Sequence, residues 1–333
     1  MPGFSKWWVL AAVVILILSM HVCSEMGHTR RMKQSLARAN AHKTVFVLIP
    51  VLYDVEDAAE TLDSLFEQAA VPQRISVGVI QHASDGDTLN AYTALARHPH
   101  TAQVQVARYP PEWAEGAPAA RALSMRLLKP NSDFVLWVDA HTTFTRDWDE
   151  ALIEELLTLP EKSILTTLPP QTGTRTTSTF VRAVPEEDAV VRLEAAPTTK
   201  RPNTTLPSPF FCAAFCFAQN VPQLPVQPYT NNLCLLHSAY LIDRGFRFYT
   251  PQVCPVTQDW RKSRPGSEPS AEFTAHIVEQ LEDPESVAVR MGVDVATGTV
   301  IRKGVQQGLS ADPSREELVC KLGGSVALGF IDS

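Results

Sequence analysis

The chain has 333 residues, 45% hydrophobic and 20% charged, with a formal net charge of −7. That length and apolar content suffice for a sizeable core. The acidic balance, with no basic patch interleaved with aromatics, excludes a partner gripped through its phosphate backbone, so no nucleic acid is expected. The 25 prolines point to long ordered loops.

Residues 1–6 read as a short cytoplasmic tail. Residues 7–23 then carry no acidic or basic group except His21. They reach the lower limit of about 17 residues for a helix that spans a bilayer. Trp7 and Trp8 suit the membrane interface. Lys6 precedes the run and Arg30, Arg31 and Lys33 follow it, so the charge rule leaves its orientation open. We read a retained transmembrane signal anchor, with a cleaved signal peptide as the alternative. Either way the remainder enters the secretory pathway, and a single-pass protein of the Golgi or ER membrane with a lumenal domain is expected. Residues 24–43 are polar and basic, as a stem would be.

The domain begins at residue 44. Residues 45–50 predict a buried strand, and Asp54 can cap the helix that follows. Ala58, Leu62, Leu65 and Phe66 give that helix one apolar face. Strands are expected at 75–81 and 102–109, and a helix at 116–128 that carries Arg121 and Arg126. Residues 134–138 (Phe-Val-Leu-Trp-Val) form a short apolar run rich in β-formers, as in a strand covered on both faces. A helix at 148–159 and a strand at 163–168 follow. Strands alternating with helices predict a mainly parallel, doubly wound α/β sheet. Residues 171–207, rich in Thr, Arg and Pro, break the pattern and read as a long loop or hairpin insertion. Residues 210–218 return to the core, a helix spans 232–244 and ends at Gly245, and a short strand follows at 246–249. The last 70 or so residues read as peripheral helices and strands.

Apart from Cys23 in the anchor, the cysteines are Cys212, Cys216, Cys234, Cys254 and Cys320. Five allow at most two disulfides within the domain. Cys212 and Cys216 lie in an apolar run with no second ligand pair, so zinc is not expected there. Asn203-Thr-Thr205 is a glycosylation sequon. Neither a G-x-x-x-x-G-K-[ST] nor a G-x-G-x-x-G phosphate loop is present.

Chemistry concentrates after the strand at 134–138. Asp139 and His141 stand where it ends, which is where ligands sit in open α/β sheets. Alternate residues of an extended segment face one side, so a carboxylate and an imidazole at this spacing can meet one divalent cation. The competing reading has Asp139 in a turn and His141 in solvent.

The stretches Val45-Phe-Val-Leu-Ile-Pro-Val-Leu-Tyr-Asp54, Gly116-Ala-Pro-Ala-Ala-Arg121, Leu136-Trp-Val-Asp-Ala-His-Thr-Thr-Phe144 with Trp148-Asp149, and Arg244-Gly-Phe-Arg-Phe-Tyr-Thr-Pro251 occur in this order. With the tail at 307–318, they resemble the polypeptide α-N-acetylglucosaminyltransferase family over roughly residues 44–325. The resemblance implies a GT-A fold and a retaining transfer of α-GlcNAc from UDP-GlcNAc. The acceptor would be Ser/Thr, or hydroxyproline, of a protein, here a Ser/Thr-rich secretory glycoprotein. It also implies that Asp139 and His141 hold Mn²⁺ on the nucleotide diphosphate. Asp54, Gly116, Arg121, Trp148 and Asp149 would belong to the nucleotide-sugar site, with Arg121 near the diphosphate.

Several positions depart from the family pattern. Asn231 and Asn232 stand at its later acidic motif, the catalytic candidates by position, yet an amide cannot act as a carboxylate base. Glu115 stands before Gly116 where the family tends to have Arg. A family histidine four residues before an arginine completes the metal site. Counting back from Arg261 gives Thr257, which leaves His237 and Asp259 as candidate substitutes. The departures support an alternative, a catalytically degenerate member that binds a glycan or a protein.

Overall fold

Apolar runs lacking any polar face build the centre of this protein. In the computed structural model, residues 40, 42–52, 55–83, 99–174, 178–185, 191–198, 205–228, 230, 233–260, 269–297 and 299–302 are described. The chain divides into two units, residues 1–42 and Lys43–Ser333. Of the first, only Asn40 and His42 are described, so the expected anchor at 7–23 lies outside the described residues. So do Asp54, Asn231, Asn232, Arg261 and the tail at 307–318. Among the described residues no helix is long and apolar enough to cross a membrane.

The second unit opens with β1 (Val45–Leu52), α1 (Val55–Glu67) and β2 (Ile75–His82). β3 (Val104–Tyr109), α2 (Ala117–Ser124), β4 (Phe134–Val138), β5 (Thr142–Phe144) and α3 (Trp148–Leu157) follow. Next come β6 (Ser163–Thr166), the hairpin β7 (Ser178–Pro185) and β8 (Val191–Thr198), β9 (Leu206–Ser208) and β10 (Phe215–Ala218). Then α4 (Cys234–Asp243), β11 (Arg247–Thr250) and β12 (Val256–Gln258) follow. Helices α5 (Ala271–Glu279) and α6 (Pro284–Met291) precede the short pair β13 (Val293–Asp294) and β14 (Thr299–Val300).

Eight strands form one sheet in the order β3-β2-β1-β4-β10-β6-β11-β9. β1 pairs in parallel with β2 and β4, and β2 pairs in parallel with β3. β6 and β11 also pair in parallel, so the sheet is mainly parallel as expected, with two strands reversed. β10 runs antiparallel between β4 and β6, and β9 is antiparallel to β11. A strand buried on both faces shows no polar side and no direction in its local pattern, so β10 reads the same either way.

Side-chain alternation along the strands divides the core in two. Val45, Val47, Ile49 and Phe134, Leu136, Val138 pack with Leu62, Leu65, Trp148 and Leu152 of α1 and α3. Phe46, Leu48, Val135 and Trp137 face the other way, towards Leu236, Leu241 and the elements around α4 to α6. The helices thus cover both faces of the sheet, and the three-layer arrangement expected from strand–helix alternation is present. Helix α4 stops as expected. Gly245 has φ 83°, and its N–H donates to the Ile242 carbonyl at 2.9 Å.

Candidate active site

The carboxyl ends of β1, β2 and β4 open onto one cavity of about 290 Å³. Pro50 and Val51 come from β1, His82 from β2, and Asp139 and His141 from the turn after β4. The chain leaves β1 towards β2 on one side of the sheet and adjoins β4 on the other. That is the switch point at which open α/β sheets bind ligands. Opposite the sheet, Gly116 (φ 98°) turns the backbone into α2, so Gly116, Ala117 and Ala120 line the cavity together with Arg121. The first turn of α2 is the positive end of that helix's dipole, a favourable place for an anion.

Asp139 and His141 are held by α1. The Thr61 hydroxyl, buried, donates to the Ala140 carbonyl at 2.7 Å and accepts from the Thr142 N–H at 3.0 Å. Ser64 Oγ accepts from the Phe144 N–H at 2.8 Å. These bonds fasten the residues on either side of His141 to the helix. Thr61 and Ser64 thus fix the site without entering it. Their signal in the sequence is a pair of hydroxyls among the apolar positions of α1.

Two side chains meet Asp139. Arg121, only 7% exposed, makes a short ion pair through Nη2 with Asp139 Oδ1. Gln258, fully buried in β12, donates through Nε2 to Asp139 Oδ2 at 2.9 Å and lies 2.9 Å from His141 Nε2. Sequence reasoning missed Gln258. Counting from Arg261 picks out Thr257 instead, whose hydroxyl faces Thr172 at 3.4 Å, away from the site. The available signal was strand alternation. Val256 is buried, so Gln258, two residues on, shares its inward side.

The other candidates separate. Arg121 and Gly116 line the cavity. Trp148 and Asp149 do not, which corrects their placement in a nucleotide-sugar site. Trp148 is fully buried, packs at a tilt against Phe144 and donates through Nε1 to the Leu65 carbonyl at 2.9 Å. Asp149, also fully buried, accepts from the N–H groups of Ala70 and Val71 at 2.7 and 3.2 Å and ion-pairs with Arg74 at 3.2 Å. Both lock the start of α3 onto the end of α1.

His237 lines the cavity, yet its Nε2 lies 2.7 Å from the Pro225 carbonyl, and burial pulls its pKa down to about 4. It is a neutral wall of the cavity and does not meet Asp139. Asp259 contributes its N–H to the His141 carbonyl at 3.1 Å, while its carboxylate accepts from Gln171 at 3.2 Å. Neither takes the place of the expected third ligand. His82 is lowered by burial, partly offset by exposed Glu115. Cys212 and Cys234, free thiols on the cavity wall, hydrogen-bond each other. That bond holds the Cys234 thiol below its ordinary range and raises Cys212.

A carboxylate and an imidazole converging on one point fit a small divalent ion. Asp139 Oδ2 and His141 Nε2 do converge, since both contact one atom of Gln258. Among the described residues no cluster of three or more His, Cys, Asp or Glu exists, so a cation here would draw only two ligands of those types.

The fold matches solved GT-A glycosyltransferase structures. S. aureus TarS residues 1–349, solved with UDP-GlcNAc, share the fold with a TM-score of 0.50 at 15% identity, over 77% of this chain and 72% of that one. GalNAc-T7, solved with UDP, GalNAc and Mn²⁺, gives a TM-score of 0.52 at 14% identity, over 84% of this chain and 58% of that one. No curated protein matches in sequence. The model of the glycosyltransferase (GlcNAc) family matches residues 90–267, more than half of the chain, and the protein belongs to that family.

Proposed function

We propose that this chain is a UDP-GlcNAc-dependent, retaining glycosyltransferase that places α-GlcNAc on Ser/Thr, or hydroxyproline, of a protein acceptor. The acceptor would be a Ser/Thr-rich secretory glycoprotein, met in the Golgi or ER by a lumenal domain behind the 7–23 anchor. One observation carries the catalytic part of this reading. Asp139 and His141 follow β4 in a cavity that the N-terminal turn of α2 and Arg121 also line. The TarS and GalNAc-T7 complexes, which hold UDP-GlcNAc and UDP with Mn²⁺, add support by fold.

The residues divide the work by charge. The positive end of α2 and the Arg121 guanidinium can receive the diphosphate oxygens, with Arg121 turning from Asp139 to do so. Asp139 and His141 would hold Mn²⁺, which when bound neutralises the departing nucleotide. His237 stays neutral at pH 7, so it adds no second positive charge to the wall. Ala114, Ala117 and Ala120 leave room beside the strand ends for a bulky donor.

A screen of UDP-sugars with the full chain and Mn²⁺ tests the proposal. UDP-GlcNAc turnover that Asp139→Ala lowers at least 100-fold is expected, because the variant loses the only carboxylate among the two proposed ligands. Turnover unchanged in Asp139→Ala refutes the metal role. Asn231 and Asn232, amides at an acidic motif, favour a second reading, a glycan- or protein-binding member without catalysis. That reading gains if UDP-GlcNAc binds calorimetrically and no sugar is ever transferred.

A further inference from the structure

Gln258 occupies a position that neither turn chemistry nor strand pairing requires of a glutamine. Its backbone is clamped from both sides. β12 pairs with β5, setting Gln258 opposite Thr142. On the far side, the Gln258 N–H donates to the Pro170 carbonyl at 2.9 Å, and its carbonyl accepts from the Thr172 N–H at 3.0 Å. The side chain is thereby driven towards the end of β4, where its terminal nitrogen lies 2.9 Å from both Asp139 Oδ2 and His141 Nε2. The other end of the amide, Oε1, is buried with no hydrogen-bond donor. A buried amide oxygen without a partner is destabilising.

These distances have a second meaning. In an octahedron with bonds of about 2.1 Å, neighbouring donor atoms lie about 3.0 Å apart. The amide head therefore stands from each of the two donors at the separation expected of a third ligand sharing their cation. A half-turn about the terminal bond of the side chain exchanges nitrogen for oxygen at that point. An amide oxygen is a hard, neutral donor suited to Mn²⁺, Mg²⁺ or Ca²⁺.

We infer that Gln258 is the third protein ligand of a divalent cation held with Asp139 and His141, and that its amide turns when the cation binds. The NH₂ group faces the carboxylate and the imidazole. Around a bound ion, Oε1 would take that place and the buried oxygen would gain a partner. A carboxamide contributes no charge and less basicity than an imidazole, so affinity for the ion leans on the nucleotide diphosphate. The inference rests on the proposed donor site and adds to it how that site holds its ion.

The test uses the full chain, wild type and with Gln258→Leu or Gln258→His. Free Mn²⁺ is counted by its electron paramagnetic resonance signal with and without UDP, and UDP binding is measured separately by calorimetry in chelator. Gln258→Leu should weaken Mn²⁺ binding about tenfold or more, and Gln258→His should tighten it by a similar factor. UDP binding in chelator should stay unchanged in both. Should the leucine variant fail to fold, Gln258→Asn, one methylene too short to reach, takes its place. Equal Mn²⁺ affinities in wild type and variants, or no Mn²⁺ bound by a wild type that does bind UDP, overturn the inference and leave the donor site standing. Failure of folded wild type to bind UDP under any condition would overturn the donor-site reading itself.

Discussion

At the scale of single residues, polarity and burial decide what each candidate does. His237 shows the rule. Its imidazole is 3% exposed, and burial lowers its pKa from 6.5 to about 4. The unfolded chain therefore binds a proton that the folded one refuses. Stability should be at its full value above pH 6.5 and fall as the pH drops from 6.5 towards 4, by about 2 kcal/mol between pH 6.5 and 5. Urea unfolding at pH 7 and pH 5 reads this directly. His237→Gln, which cannot titrate, should show a shallower fall, and an equal fall in both proteins would exclude His237 as its source. Residue type and spacing made Asp139 and His141 legible, because both lie on one continuous strand end. Gln258 was not legible in the same way. Its partners stand 119 and 117 positions away, and only the pairing of β12 with β5 brings them together.

Elements are placed by a few buried polar contacts, and Asp149 is the clearest. It follows Trp148 at the start of α3, where an acidic side chain favours the helix dipole. Its carboxylate turns instead to the Ala70 and Val71 N–H groups and to Arg74, itself 5% exposed. Removing the charge takes away the ion-pair partner of the buried Arg74 guanidinium, so Asp149→Asn should lower stability by about 3 kcal/mol. Thermal melting followed by circular dichroism checks this. A variant that melts with the wild type would return Asp149 to the candidate site residues. Helix boundaries were largely readable because amphipathic period, caps and Gly245 act within a few residues. The role of α3's first turn was not. The sequence shows an aromatic and an acid next to the site motif, and only the position of α1 tells that both point away from it.

Across the molecule, the sheet is the shared wall of two cores. Trp148 and Leu152 belong to one, Trp137 and Leu236 to the other, and the same strands supply both through alternate side chains. A void on either face must therefore loosen the strands that the opposite face rests on. Leu152→Ala and Leu236→Ala should each cost about 2–5 kcal/mol and shift a single transition. Tryptophan fluorescence and near-ultraviolet circular dichroism should fall together in both variants. Two separated transitions would show that the faces melt independently.

The amino-acid sequence by itself determined the alternation of strands and helices, the buried run ending in Asp139-Ala-His141, and the membership signals of a glycosyltransferase. Each is written in neighbours, since periodicity, caps and motif spacing act over a few residues. Tertiary structure alone decided that β10 runs against its neighbours, that Trp148 and Asp149 brace two helices, and that Gln258 completes the Asp139–His141 pair. These depend on which segments, far apart in the chain, the sheet brings side by side, and pairing energy of that kind leaves no mark in a local pattern.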